Sequence, residues 1–151
     1  MRRAWYVSQI MSIVLVSCMV STNTSTPSDE SEVRSVVENF GQRLQAVSLQ
    51  SPQVLEEMRE QYSELVSPEL LQQWMGDISQ APGRIVSSPW PDLIELTSIV
   101  EETSEKYLVT GYVVEVTSFE VVKGGAANKI PVHITVEKVE GRWVITAYSQ
   151  Q

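Results

Sequence analysis

The 151-residue chain carries 11 basic and 19 acidic side chains, a formal net charge of −8, and 42% of it is hydrophobic. That acidity argues against nucleic acid and against a polybasic grip on anionic lipid, while the apolar content supports one core of common domain size. A single cysteine excludes an intrachain disulfide, and a single histidine leaves no ligand cluster for a metal or other cofactor.

The first segment reads as an export signal. Arg2 and Arg3 precede Ile10, Met11, Ile13, Val14, Leu15 and Val16, and small Ser17 stands before Cys18, giving the basic start, apolar stretch and small-residue cut of a secretory leader. Ser8, Gln9 and Ser12 interrupt the run, and spanning a bilayer takes about 20 predominantly apolar residues, so cleavage is the better reading. Leu15-Val16-Ser17-Cys18 resembles the lipobox of bacterial lipoproteins: an aliphatic residue, a tolerant position, a small residue, then Cys. The resemblance implies that residues 1–17 are the signal peptide and that Cys18 becomes the first mature residue, its sulfur carrying a diacylglyceryl group. The protein is then anchored on the extracytoplasmic face of the cell membrane. Two acyl chains make that anchor stable, because each buried methylene contributes about 0.8 kcal/mol and one chain binds only marginally. Without Arg2 and Arg3 the mature net charge is −10. Residues 18–30 run through Ser21, Thr22, Asn23, Thr24, Ser25, Thr26, Pro27, Ser28 and Asp29. They cannot bury enough surface to offset their ordering entropy and read as a disordered tether to a domain of residues 31–151.

Val33, Val36, Val37, Phe40, Leu44 and Val47 recur at spacings of three and four, the stripe of an amphipathic helix, with Ser31 as its expected N-cap. After a break at residues 48–52, Val54, Leu55, Met58, Tyr62 and Leu65 predict a second helix with Pro52 in its first turn. Ser67-Pro68 opens a short third one carrying Leu70, Leu71, Trp74 and Met75 and stopped by Gly76. Beyond Ala81-Pro82-Gly83 the period falls to about two. Strands are expected at 93–100, 107–118, 130–139 and 142–148, with a short edge strand around Ile85-Val86. Glu140-Gly141 suits a two-residue hairpin, and Gly124-Gly125-Ala126-Ala127-Asn128 a longer, mobile one. Helices first and antiparallel strands second is an α+β pattern, with the helices on one face of the sheet. Phe40, Leu44, Ile134, Val136, Trp143 and Ile145 are its expected shared core.

This order, closed by Gly141-Arg142-Trp143-Val144-Ile145, is similar to the NTF2-like (cystatin-like) superfamily, which implies a cone of N-terminal helices on a curved antiparallel sheet. Pro82-Gly83-Arg84 with Ser87-Ser88-Pro89-Trp90-Pro91-Asp92 also resembles a segment of small uncharacterised lipoproteins of Gram-positive, spore-forming bacteria, a family that implies no activity. Pro89 and Pro91 hold Trp90 on a stiff arm, either closing one end of the core or contacting a ligand or partner. Arg84 and Asp92 form a possible ion pair across that arm.

Enzymes of the resembled superfamily place an acid–base residue and a hydrogen-bond donor inside the cone. In this chain Asp92 or Glu115 is the available base and Tyr107 or Tyr112 the available donor. Glu115 stands out because it falls in Tyr112-Val113-Val114-Glu115-Val116, apolar on both faces. His133 alternates with Val132 and Ile134 and so belongs to the outer face. In strand 107–117 neither face is polar enough for open water. The side carrying Val109 and Val113 is expected to lie uncovered by the helices, available to a second copy or a partner, with His133 near its edge. The leading expectation is a non-catalytic lipoprotein domain that binds a protein or envelope component, with Trp90, Tyr112, Glu115 and His133 as contact residues. The alternatives are a carrier of a small apolar ligand, suggested by Trp74, Met75, Trp90 and Trp143, and an isomerase or dehydratase.

Overall fold

The computed structural model describes residues 28–151. The leader, Cys18 and the tether as far as Pro27 lie outside the described residues. Among these are four α-helices and four strands, with short 3-10 turns at Leu44–Ala46 and Ile78–Gln80: α1 (Asp29–Arg43), α2 (Val54–Tyr62), α3 (Pro68–Gly76), β1 (Trp90–Thr103), β2 (Lys106–Val116), α4 (Ser118–Lys123), β3 (Asn128–Val139) and β4 (Arg142–Gln150). The architecture is α+β, with helices preceding a four-stranded antiparallel sheet of order β1-β2-β3-β4.

Helix α1 starts earlier than its apolar stripe suggests. Ser28, not Ser31, is the N-cap, its hydroxyl accepting from the Ser31 backbone N–H at 3.3 Å, and Asp29, Glu30 and Glu32 fill the first turn where the helix dipole favours carboxylates. The last residues expected in the tether are therefore helical. At the second helix Pro52 lies two residues ahead of Val54 instead of inside the first turn, whereas Ser67 caps α3 and Pro68 opens it as expected.

One face of the sheet takes the helices. Val33, Val37, Phe40 and Leu44 meet Met58, Tyr62, Leu70 and Trp74 above Ile94, Val109, Val113, Val132, Ile134, Val136 and Ile145, and all of them are buried. The six expected core residues all lie in this set or beside it, Trp143 included. Phe40 is the hub: its ring lies 5.0 Å from Tyr62, 6.1 Å from Trp74 and 5.7 Å from Tyr148. Tyr148 reaches this face through a bulge. Thr135 pairs with Ala147 but Val136 with Ile145, which leaves Thr146 as the extra residue and reverses the alternation beyond it.

Burial pushes the Tyr62 and Tyr148 hydroxyls above the ordinary phenol range, yet their situations differ. Tyr62 donates to the Pro82 carbonyl at 2.9 Å, while the buried Tyr148 hydroxyl has no partner among the described residues. An unmade buried hydrogen bond costs more than an absent hydroxyl. Tyr148→Phe is thus expected to leave stability unchanged or raise it by up to about 1 kcal/mol, and Tyr62→Phe to lower it by about 1–3 kcal/mol by orphaning a carbonyl. Urea unfolding of both variants checks the contrast; a marked loss in Tyr148→Phe means the hydroxyl does have a partner.

A polar staple closes the end of the sheet where α1 begins. Asp29 accepts from the Trp143 indole N–H and the Lys138 ammonium, both at 3.2 Å, and these contacts, the indole first, hold its carboxyl below the usual aspartate range. A lowered folded pKa stabilises above the unfolded value of about 3.9 and loses that contribution as pH falls through the folded value. Asp29→Asn is therefore expected to flatten the acid limb of a stability–pH profile and leave the neutral-to-alkaline shape alone. An unchanged acid limb overturns this role.

Both sheet edges are managed. Leu65–Ser67 lies along β4, Ser67 N–H donating to the Ile145 carbonyl at 2.8 Å and Ile145 N–H to the Leu65 carbonyl at 2.9 Å. β1 is irregular instead, with register shifts at 91–93, 96–98 and 101–103 and with Glu95, Glu101 and Glu102 along it, devices that discourage edge pairing.

Candidate functional site

The start of β1, the end of β2, the start of β3 and the end of β4 all lie at the end of the sheet opposite the Asp29 staple. There the chain from Pro82 to Pro91 crosses between the helices and the sheet. Arg84 N–H donates to the Val47 carbonyl at 2.8 Å and accepts Leu49 N–H at 2.9 Å on its own carbonyl. At the far side Trp90 pairs with Val116. Held at both ends and interrupted by Pro89 and Pro91, which offer no backbone donor, the segment forms an arm. The edge strand expected at Ile85-Val86 is absent, and these two side chains stand 62% and 51% exposed.

Under the arm lies a cleft of about 310 Å³, lined by Leu44, Ile85, Val86, Pro89, Pro91, Val113 and Ile130, with Glu115 and Gln150 as its polar side chains. Apolar walls with a few convergent polar groups are the composition of small-ligand sites. Glu115 is half-buried and its carboxylate accepts from the Asn128 amide at 3.1 Å. Its backbone carbonyl accepts Ala127 N–H at 2.8 Å, which fixes the strand end that carries it.

The expected base–donor pairs do not form. Tyr107 is eight residues from Glu115 along β2, about 26 Å at strand spacing, and packs edge-on against Trp143 with ring centres 5.2 Å apart. Tyr112 faces the other side of the sheet from Glu115 by strand alternation, with Lys129 Nζ 6.0 Å from its ring centre. Asp92 sits in the shift between Pro91 and Leu93 and does not line the cleft. Arg84 makes no ion pair with Asp92; its charge acts on Glu57, whose carboxyl is held low chiefly by the Ser51 hydroxyl and the Ser48 backbone N–H.

Trp90 is partly exposed and lies outside the central core, beside Gln45, Arg84 and Ser87 in a shallow recess. His133 is exposed on the outer face next to Thr110, as its alternation predicts. The sides of β2 are reversed from expectation. Val109 and Val113 are the buried, helix-facing residues, while Leu108 and Tyr112 face outward. That outer face is less apolar than the sequence suggests, because Thr97, Thr110, His133 and Thr135 share it and Val114 and Val116 are buried. The aromatic residues expected to line a ligand cavity do not: Trp74 is closed into the Phe40 cluster and Trp143 belongs to the Asp29 staple.

Sequence reasoning missed α4, reading strand as far as Ser118, a mobile hairpin at 124–128 and no element between them. The signal was present in Thr117-Ser118-Phe119-Glu120. Thr117 accepts from the Phe119 backbone N–H at 3.1 Å while Glu120 reaches back to the Thr117 backbone N–H at 2.9 Å, a capping box. Among the described residues no three metal-ligating side chains cluster, and no helix is long and apolar enough to cross a membrane. No protein-family model, curated protein or solved structure matches the chain.

Proposed function

We propose that the chain is an extracytoplasmic lipoprotein, held to the cell membrane by a diacylglyceryl group on Cys18, whose domain is an NTF2-like cone that binds without catalysis. The order of elements, with helices on one face of a meander ending in the Trp143 strand, supports the cone. The observation that carries the binding role is the open, apolar cleft under the Pro82–Pro91 arm, where among the described residues Glu115 is the one carboxylate and has no phenolic donor beside it. Its occupant is an apolar side chain or short segment of an envelope protein, to which Ile85 and Val86 offer additional exposed surface. A small apolar ligand is the second reading, favoured by the cleft volume alone, which falls within the range of small-molecule sites.

Two experiments test this. Cys18→Ala is expected to move the protein from the detergent phase to the aqueous phase on partitioning; a wild-type chain found in the aqueous phase with its first residues intact overturns the anchor. In membranes of the native host, Ile85→Asp is expected to remove crosslinks to an envelope protein. A small molecule retained in native mass spectrometry of the wild type, with crosslinks absent, replaces the module by a carrier. Neither a crosslink nor a retained ligand removes the cleft as a binding site.

A further inference from the structure

We infer that the α4 lobe, Ser118–Ala127, is a lipid-contacting element that seats Phe119, Val121 and Val122 in the interfacial layer of a bilayer. A surface helix normally turns its apolar side chains inward. α4 does the opposite: Phe119, Val121 and Val122 are 66%, 64% and 78% exposed. The one carboxylate of the lobe, Glu120, is folded back onto Thr117 by the capping box. What remains outside is Ser118, the three apolar side chains, Lys123 and the small residues Gly124-Gly125-Ala126-Ala127, all exposed. In a chain with nineteen acidic residues, the lobe thus carries a single carboxylate, half-exposed and tied to Thr117 instead of extended toward a phosphate headgroup. Lys123, which makes no ion pair among the described residues, can extend its ammonium to that headgroup while its stem lies along the apolar layer.

Area decides against a second copy. The three side chains expose on the order of 300 Å² of apolar surface, whereas a stable protein interface buries about 800 Å² per partner, and a two-turn projection ending in glycines offers no flat face to extend it. A bilayer asks for no complementary shape and admits apolar groups to about 5–10 Å depth. The acidity of the chain excludes a polybasic grip but not this apolar one. The contact does not depend on acylation of Cys18 or on the cleft.

The cap of α1, the core and the four described strands lie within residues 28–151, a stretch without cysteine, and the chain beginning at Ser28 is used after cooperative urea unfolding shows that it is folded. Val122→Cys in this chain, labelled with an environment-sensitive fluorophore, is mixed with phosphatidylcholine vesicles. Blue-shifted emission with at least a twofold rise, retained in high salt, is expected. The same label on Ser63→Cys, at the opposite end of the domain, is expected to stay silent. Adding Phe119→Ser and Val121→Ser to Val122→Cys is expected to weaken partitioning at least tenfold. No response at Val122→Cys, a response abolished by salt, or one indifferent to the two serines overturns the proposal. So does a photocrosslinker at Val122→Cys that captures protein and no lipid in native membranes.

Discussion

Phe40→Ala is expected to destabilise the domain by about 3–5 kcal/mol, the range for truncating a fully buried phenylalanine. The ring is inaccessible and touches an aromatic residue from each of α2, α3 and β4. The void left behind has walls built on three separate elements, one of them in a sheet, so collapse is hindered and the upper half of the range applies. Aromatic pairs add about 0.5–1.5 kcal/mol beyond area burial, and three are lost at once. Urea unfolding gives the value from the midpoint at constant slope. A loss below 1 kcal/mol means that the helices do not meet the sheet at Phe40.

Gly41→Ala is expected to destabilise by about 1–3 kcal/mol, although alanine is the better helix former by about 1 kcal/mol. The sign turns on one distance. A Cβ at Gly41 falls 2.5 Å from the Ile94 backbone nitrogen of β1 and 3.0 Å from the Ile94 side chain. A backbone nitrogen inside a paired strand cannot swing away as a side-chain tip can. α1 must lift off β1 and loosen the packing of Val37, Phe40 and Leu44 beneath it. Gly76→Ala is the control: the substituent there meets nothing within 4 Å, and a neutral or slightly stabilising result is expected. Equal and favourable effects at the two glycines mean that α1 does not approach the Ile94 backbone this closely. Gly111 plays the same part between β2 and the Glu95 backbone.

The helical stripe from Val33 to Val47, the Ser67-Pro68 start and the last two strands were legible because each is a local pattern whose period or cap is decided within a few residues. α4 was equally local and was missed because the β-rich run before it masked a capping box in plain view. The staple and the cleft are of another kind. Asp29 and Trp143 are 114 residues apart, and nothing in either neighbourhood points to the other. Glu115, Ile85 and Gln150 line one cleft only because β2, the proline-braced arm and β4 end at the same side of the sheet. Of the candidate residues, Glu115 alone reaches that cleft, Trp90 lies in the recess beside it, and Tyr112 and His133 face outward.

The sequence by itself determined the class of the fold, the order of the first three helices and the four strands, and the parity of β3, since periodicity and turn chemistry act over short spans. It could not decide which face of β2 meets the helices, because Val109 with Val113 and Val114 with Val116 are equally apolar. Only the register of β2 against β1 and β3, and the approach of α1 that Gly41 permits, placed the first pair in the core. Likewise nothing local to Phe119, Val121 and Val122 says whether these apolar residues are covered. Tertiary structure left them outside, because the helix-facing side of the sheet was already filled by α1, α2 and α3.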